Sequence, residues 1–191
     1  FGFVNVGSGN NITSNGGSAT LNNDGVFIYS SDKANTINNS TNISSTGSIG
    51  KNYGIYASGT VNNSGNMNLS NGVGNLGIYI TNGGTGRNSG NITVGASDDP
   101  NGFYSIGMAA GYVGDSTNPA TTATTGTIEN NGTITVTGEK GIGMYGANTG
   151  TTVTNNNNIV LNANNTMGIY VENGAKAVNN GSIRTGVSGL S

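Results

Sequence analysis

Gly126–Gly146, GTIENNGTITVTGEKGIGMYG, holds two short patterns in succession. In the first, counting from Ile128, the even steps are Ile128, Asn130, Gly132, Ile134 and Val136, and the odd steps are Glu129, Asn131, Thr133 and Thr135. Apolar or small residues fall one way and polar residues the other, which is the alternation of a strand. The second pattern, Gly141-Ile142-Gly143-Met144-Tyr145-Gly146, is a strand-like piece of small and apolar residues.

Most of the chain repeats this unit. The first pattern returns as Ile37-x-Asn39-x-Thr41-x-Ile43-x-Ser45, Val61-x-Asn63-x-Gly65-x-Met67-x-Leu69, and Gly86-x-Asn88-x-Gly90-x-Ile92-x-Val94. It continues as Val153-x-Asn155-x-Asn157-x-Ile159-x-Leu161, and a final, shortened copy reads Val178, Asn180, Ile183. The second pattern returns at Tyr53–Ala57, Leu76–Ile80, Ile106–Ala110 and Met167–Val171. Apart from one long step between Gly86 and Ile128, the period is about 25 residues, which marks a stacked repeat architecture. Three short strands per period with no hairpin turns predict an all-β parallel β-solenoid of six or seven turns over residues 1–191. A single unit has too few apolar side chains to order its own backbone, so each unit depends on stacking against the next.

Residues 1–20 are harder to place, although Ile12 suits a strand start. Residues 21–29, LNNDGVFIY, fit either pattern. The repeated Asn39, Asn63, Asn88, Asn130, Asn155 and Asn180 are expected to point inward and bond amide to amide up the stack. The Gly two residues further on is expected to supply a φ that other residues resist. In the second pattern, the residues flanking the Gly are expected to share the inner face, leaving Gly and Tyr outside. The long step contains two insertions, near 95–102 and 112–125, which hold both prolines and therefore read as loops leaving the ladder.

The composition excludes several functions. Net charge is −2, and the six Lys and Arg are scattered, so no basic patch points to nucleic acid. There is no His or Cys, which removes Ser-His and Cys nucleophiles and the usual zinc sites. Neither an enzyme nor a cofactor is expected. Asp98, Asp99 and Asp115 could gather round a calcium ion, but solvated loop acids are the competing reading. Glu139-Lys140 reads as an exposed turn pair. Tyr56, Tyr79, Tyr145 and Tyr170 form a candidate outward aromatic row for sugar rings or a partner protein, with Tyr112 and Asp115 of the second insertion beside it. A covered, purely stabilising stack is the alternative. Residues 1–20 lack the basic start and apolar run of a signal peptide, so the chain reads as a slice of something longer.

The units GTIENNGTITVTGEKGIGMYG and NTMGIYVENGAKAVNNGSI resemble the passenger repeats of large type V autotransporter adhesins of fusobacteria, the RadD type among them. The resemblance spans about Asn35 to Gly186. It implies a right-handed β-helix displayed at the cell surface and held to the outer membrane by a C-terminal barrel of the parent chain. It also implies attachment to a protein or glycan on host cells or other bacteria. A stalk that only spaces a distant binding domain is the alternative, as is the head of a trimeric autotransporter. The resemblance carries repeats but no receptor motif, so it transfers no binding site.

Overall fold

The computed structural model describes every residue except Asp115 and residues 119–121. The described residues form three seven-stranded parallel sheets, and each turn of the chain adds one strand to each sheet. Turn four is typical, with strands Leu76–Ile80, Gly84–Asn88 and Asn91–Val94 in the first, second and third sheets. The fold is thus a parallel β-solenoid of seven turns, and a 3-10 turn forms at Asp99–Asn101.

Equivalent residues stack in register. In the second sheet Ile37, Val61, Gly86, Ile128 and Val153 lie over one another. In the third sheet Ile43, Met67, Ile92, Ile134 and Ile159 do so. In the first sheet the column is Ile28, Ile55, Ile78, Met108, Met144 and Ile169. The three columns meet in one core.

The core is filled by complementary pairs. A residue late in the first-sheet strand faces the residue two before the ladder Asn in the second-sheet strand, as Ile80 faces Gly86 and Gly146 faces Val153. In register with these, the other turns hold Ser30 and Ile37, Ala57 and Val61, Ala110 and Ile128, and Val171 and Ala177 at the two positions. A Cβ on Gly86 would lie 2.7 Å from Ile80 Cγ1, and one on Gly146 would lie 2.4 Å from Val153 Cγ2. Gly86 is therefore the small partner of a large Ile80, and each turn keeps a similar packed volume.

The amide ladder runs through Asn39, Asn63, Asn88, Asn130, Asn155 and Asn179. Each side-chain NH2 donates to the next Oδ1 at 2.8–3.1 Å. From Asn39 to Asn155 it also donates to the carbonyl two residues on at 2.9–3.1 Å, which closes the corner between the second and third sheets. The last rung corrects the sequence reading. Asn155 pairs with Asn179, whereas Asn180 faces outward and donates to Asn156 Oδ1. Likewise Ala177, not Val178, lies over Val153. The final copy is Ala177-x-Asn179-x-Gly181-x-Ile183, in full register, and the apolar Val178 had drawn the reading one residue along.

Two further expectations change. The corner glycines Gly65, Gly90, Gly132 and Gly181 do not adopt positive φ. They are required by close approach, since a Cβ on any of them would fall within 2.2 Å of a carbonyl oxygen of the preceding turn. The first-sheet glycines also face inward. A Cβ on Gly77 would meet Ile92 Cγ2 at 2.9 Å and one on Gly107 would meet Ile134 Cγ2 at 2.6 Å. The residue before each of these glycines turns outward with the tyrosines, and Leu76 packs beside Tyr79 in a second cluster with Ile106 and Ile142.

At the N-terminal end, Phe3–Asn5, Asn11–Ser14 and Ser18–Leu21 make the first turn. Residues 21–29 resolve to the second pattern, because Val26–Ser30 is a first-sheet strand with Ile28 over Ile55.

Candidate binding site

The outward face of the first sheet carries two columns. One holds Tyr29, Tyr56, Tyr79, Ala109, Tyr145 and Tyr170, in register from turn to turn. The other holds the residue before each inward glycine: Tyr53, Leu76, Ile106, Ile142 and Met167. Ring centroids lie 5.6 Å apart for Tyr29–Tyr56 and 4.9 Å for Tyr56–Tyr79, and Tyr145 and Tyr170 stack at 5.8 Å with planes 10° apart. Ala109 divides this aromatic column into two blocks. It is itself 1% exposed, covered by its cluster with Ile106, Ile142, Tyr79 and Tyr145.

A second ladder, not foreseen from the sequence, fixes the second column. Asn75 Oδ1 accepts from the backbone N–H of Asn52 at 2.9 Å and from its side-chain NH2 at 3.1 Å. The Asn75 backbone N–H donates to Ser105 Oγ at 3.1 Å, and its side-chain NH2 donates to the Leu69 and Asn71 carbonyls. Both Asn are fully buried. The signal was the polar residue just before each second pattern: Asn52-Tyr53-Gly54, Asn75-Leu76-Gly77 and Ser105-Ile106-Gly107.

Above this column lies an open groove of about 780 Å³. Its floor is Val26, Tyr53, Leu76, Ile106, Ile142 and Met167, and Tyr79, Tyr145, Tyr170 and Glu172 stand along one side. Along the other side stand residues that lead into the first sheet: Asp24, Lys51, Gly74, Gly102, Phe103 and Tyr104. Lys51 Nζ sits 4.0 Å over the Phe103 ring. The size and the mixture of ring faces with a few polar groups suit a ligand site.

The first insertion builds that second wall. Asp98 and Phe103 pair in an antiparallel bridge round the 3-10 turn, which carries Tyr104 to the groove. The Tyr104 hydroxyl donates to Asp99 Oδ1, and Lys140 Nζ donates to Asp99 Oδ2 at 3.0 Å. These contacts hold the Asp99 carboxyl below its ordinary range, the Tyr104 hydrogen bond contributing most. Glu139 and Lys140 do lie in a turn, and each has a partner elsewhere: Lys140 pairs with Asp99 and Glu139 accepts from Asn165. Asp98 Oδ2 accepts from Asn101, so the two adjacent carboxylates engage separate partners. Asp115 lies outside the described residues. Among the described residues no group of three His, Cys, Asp or Glu could hold a metal ion.

The second insertion closes at its base through Tyr112 and Thr124, whose backbones exchange hydrogen bonds at 3.2 and 2.9 Å. It flanks the opposite end of the first sheet, where Tyr53, Tyr56, Tyr79, Thr81, Tyr112, Thr122 and Thr124 line a hollow of about 390 Å³. The candidate tyrosines therefore separate. Tyr145 and Tyr170 line the groove, Tyr56 and Tyr112 line the hollow, and Tyr79 borders both. Burial is the main reason that the hydroxyls of Tyr53, Tyr56, Tyr79 and Tyr145 titrate above the usual value, and for Tyr145 a hydrogen bond to Glu172 adds to it.

A parallel β-helix with an aromatic groove on one outer face is the class that fold and site define. Residues 69–182, more than half of the chain, match the model of the BigA third pectate lyase-like domain, and the chain belongs to that family. Membership fits a surface segment of adhesin type. Comparison with curated proteins and with solved structures gave no match.

Proposed function

We propose that this chain is a non-catalytic, adhesive segment of a bacterial surface autotransporter, and that it contacts partner cells through the groove on the first sheet. The groove is the observation that carries the reading. A row of half-buried and exposed rings lies open along one face, whereas purely structural rings would be covered. The repeat resemblance extends the proposal to a passenger of RadD type, of fusobacterial kind, whose parent chain is anchored in the outer membrane by a C-terminal barrel.

The test is binding of the isolated chain to host and bacterial cells. Attachment that is lost in Tyr79→Ala and Tyr145→Ala supports the proposal, and undiminished attachment in both variants contradicts it. Incubation with polygalacturonate and other polysaccharides is expected to release no product; turnover would overturn the non-catalytic part.

The continuous amide ladder favours a second reading, a rigid spacer, because it joins turn to turn without interruption. That reading predicts no cell binding by the isolated chain.

A further inference from the structure

We propose that the groove takes a strand of uncharged sugars lying along the solenoid axis. This rests on the adhesive reading above and narrows it to one ligand class.

The floor repeats once per turn, so its apolar stripe runs parallel to the axis. From Val26 to Met167 it crosses five strand spacings, about 24 Å. A stripe of that shape suits a linear ligand with a repeating unit. Flat C–H faces of pyranose rings suit the aromatic surface that Tyr53, Phe103, Tyr104 and Tyr145 give the groove, although Lys51 lies over the Phe103 ring and Tyr170 stacks on Tyr145. The Tyr145 hydroxyl is tied to Glu172 and the Tyr104 hydroxyl to Asp99, so both rings are oriented; Tyr145 gives one face to Tyr170 and lines the groove with the rest of its ring. Preorganised rings bind with little ordering cost.

An extended peptide fits less well. All the strands beneath the groove except Met167–Glu172, which ends the sheet, pair with a neighbour on each side, so their backbone groups are used within the sheet. A peptide laid along the axis would run across these strands and extend none of them, so its N–H and C=O groups would gain no ladder and be left to water. Sugar hydroxyls each donate and accept, and they can meet Tyr hydroxyls, the Asp24 and Glu172 carboxylates, and water in an open groove. Charge selects further. Asp24 and Glu172 border the groove, Lys51 lies against Phe103, and Lys140 nearby is engaged with Asp99. A polyanion such as polygalacturonate would meet two carboxylates, and a neutral chain would not.

The experiment is saturation-transfer NMR on the isolated chain with cellohexaose and with N-acetyllactosamine oligomers, with polygalacturonate as the charged comparison. An uncharged oligomer is expected to bind and polygalacturonate to bind at least about ten-fold more weakly. Tyr145→Ala and Tyr104→Ala are each expected to weaken binding about ten-fold, the scale of a lost ring contact. Tyr29→Ala, in the same column but outside the groove, is expected to leave binding unchanged. Circular dichroism confirms that each variant folds. Equal binding of polygalacturonate, or binding unaffected by Tyr145→Ala and Tyr104→Ala, overturns the proposal. Cell attachment without binding of either oligomer overturns the sugar assignment and leaves the adhesive reading standing. Loss of both overturns the two together.

Discussion

The buried Asn column and the exposed Tyr column rise through the same turns at the same spacing, yet they behave differently at turn five. The Asn column passes through it without a break, Asn88 donating to Asn130 across both insertions. The Tyr column stops there, because Ala109 stands where a ring would be. The reason is the cost of interruption. A buried amide that loses its partner keeps an unsatisfied polar group away from water. An exposed ring that loses its neighbour forfeits only a modest contact. The interior is therefore held to its pattern, and the surface is free to vary and to acquire a site.

The largest predicted effect breaks the interior column. Asn88→Asp keeps the size but cannot donate to Asn130 Oδ1 or to the Gly90 carbonyl, and it places a carboxylate where the residue is fully buried. A loss of about 3–5 kcal/mol is expected in urea unfolding, on the scale of an uncompensated buried charge.

Next comes the volume pairing in the core. Gly86→Val drives a side chain into Ile80 and is expected to cost about 1–3 kcal/mol. Adding Ile80→Ala recreates the Ala57–Val61 arrangement and is expected to recover most of that loss, which a double-mutant cycle measures. Additive losses would show that the two positions do not share space.

The surface column predicts a smaller change. Tyr56→Ala removes ring contacts with Tyr29, Tyr53 and Tyr79 and is expected to cost about 1–2 kcal/mol. The same column gives an alkaline signature. The folded state holds Tyr53, Tyr56, Tyr79 and Tyr145 above the ordinary value of 10.0, so the unfolded chain loses these protons first. Their stabilising contribution is complete below that value and falls away as pH rises beyond it. The tyrosinate absorbance of these four residues is expected to appear late and together with unfolding.

The smallest effect lies at Asp99. Its carboxyl is held below the ordinary 3.8, so its contribution is present above that value and is lost as pH falls through the lower folded one. A carboxyl NMR titration of Asp99 is expected to reach its midpoint below 3.8 and to return to the ordinary range in a Tyr104→Phe, Lys140→Met double variant.

Much of this was legible in the sequence because strand alternation and a fixed period are written residue by residue. The ladder from Asn39 to Asn155 and the two insertions follow directly. The last turn was misread because Val178 is more apolar than Ala177, and hydrophobicity alone decided the register. The volume rule corrects it, since a large Val171 calls for a small partner. The reversed faces of Leu76 and Gly77 escaped alternation because two consecutive residues, Gly77 and Ile78, both face inward. The groove was only half visible. Its tyrosines stood out, but the wall of Lys51, Phe103 and Tyr104 comes from different turns and depends on how the first insertion folds back.

The most direct test of the central claim, that one amide column binds turn to turn inside while its polar neighbours face water, is side-chain amide hydrogen exchange followed by NMR. The Asn63, Asn88, Asn130 and Asn155 amides are expected to exchange slowly, and those of Asn62, Asn156 and Asn180 quickly. Equal, rapid exchange of both sets would contradict the account.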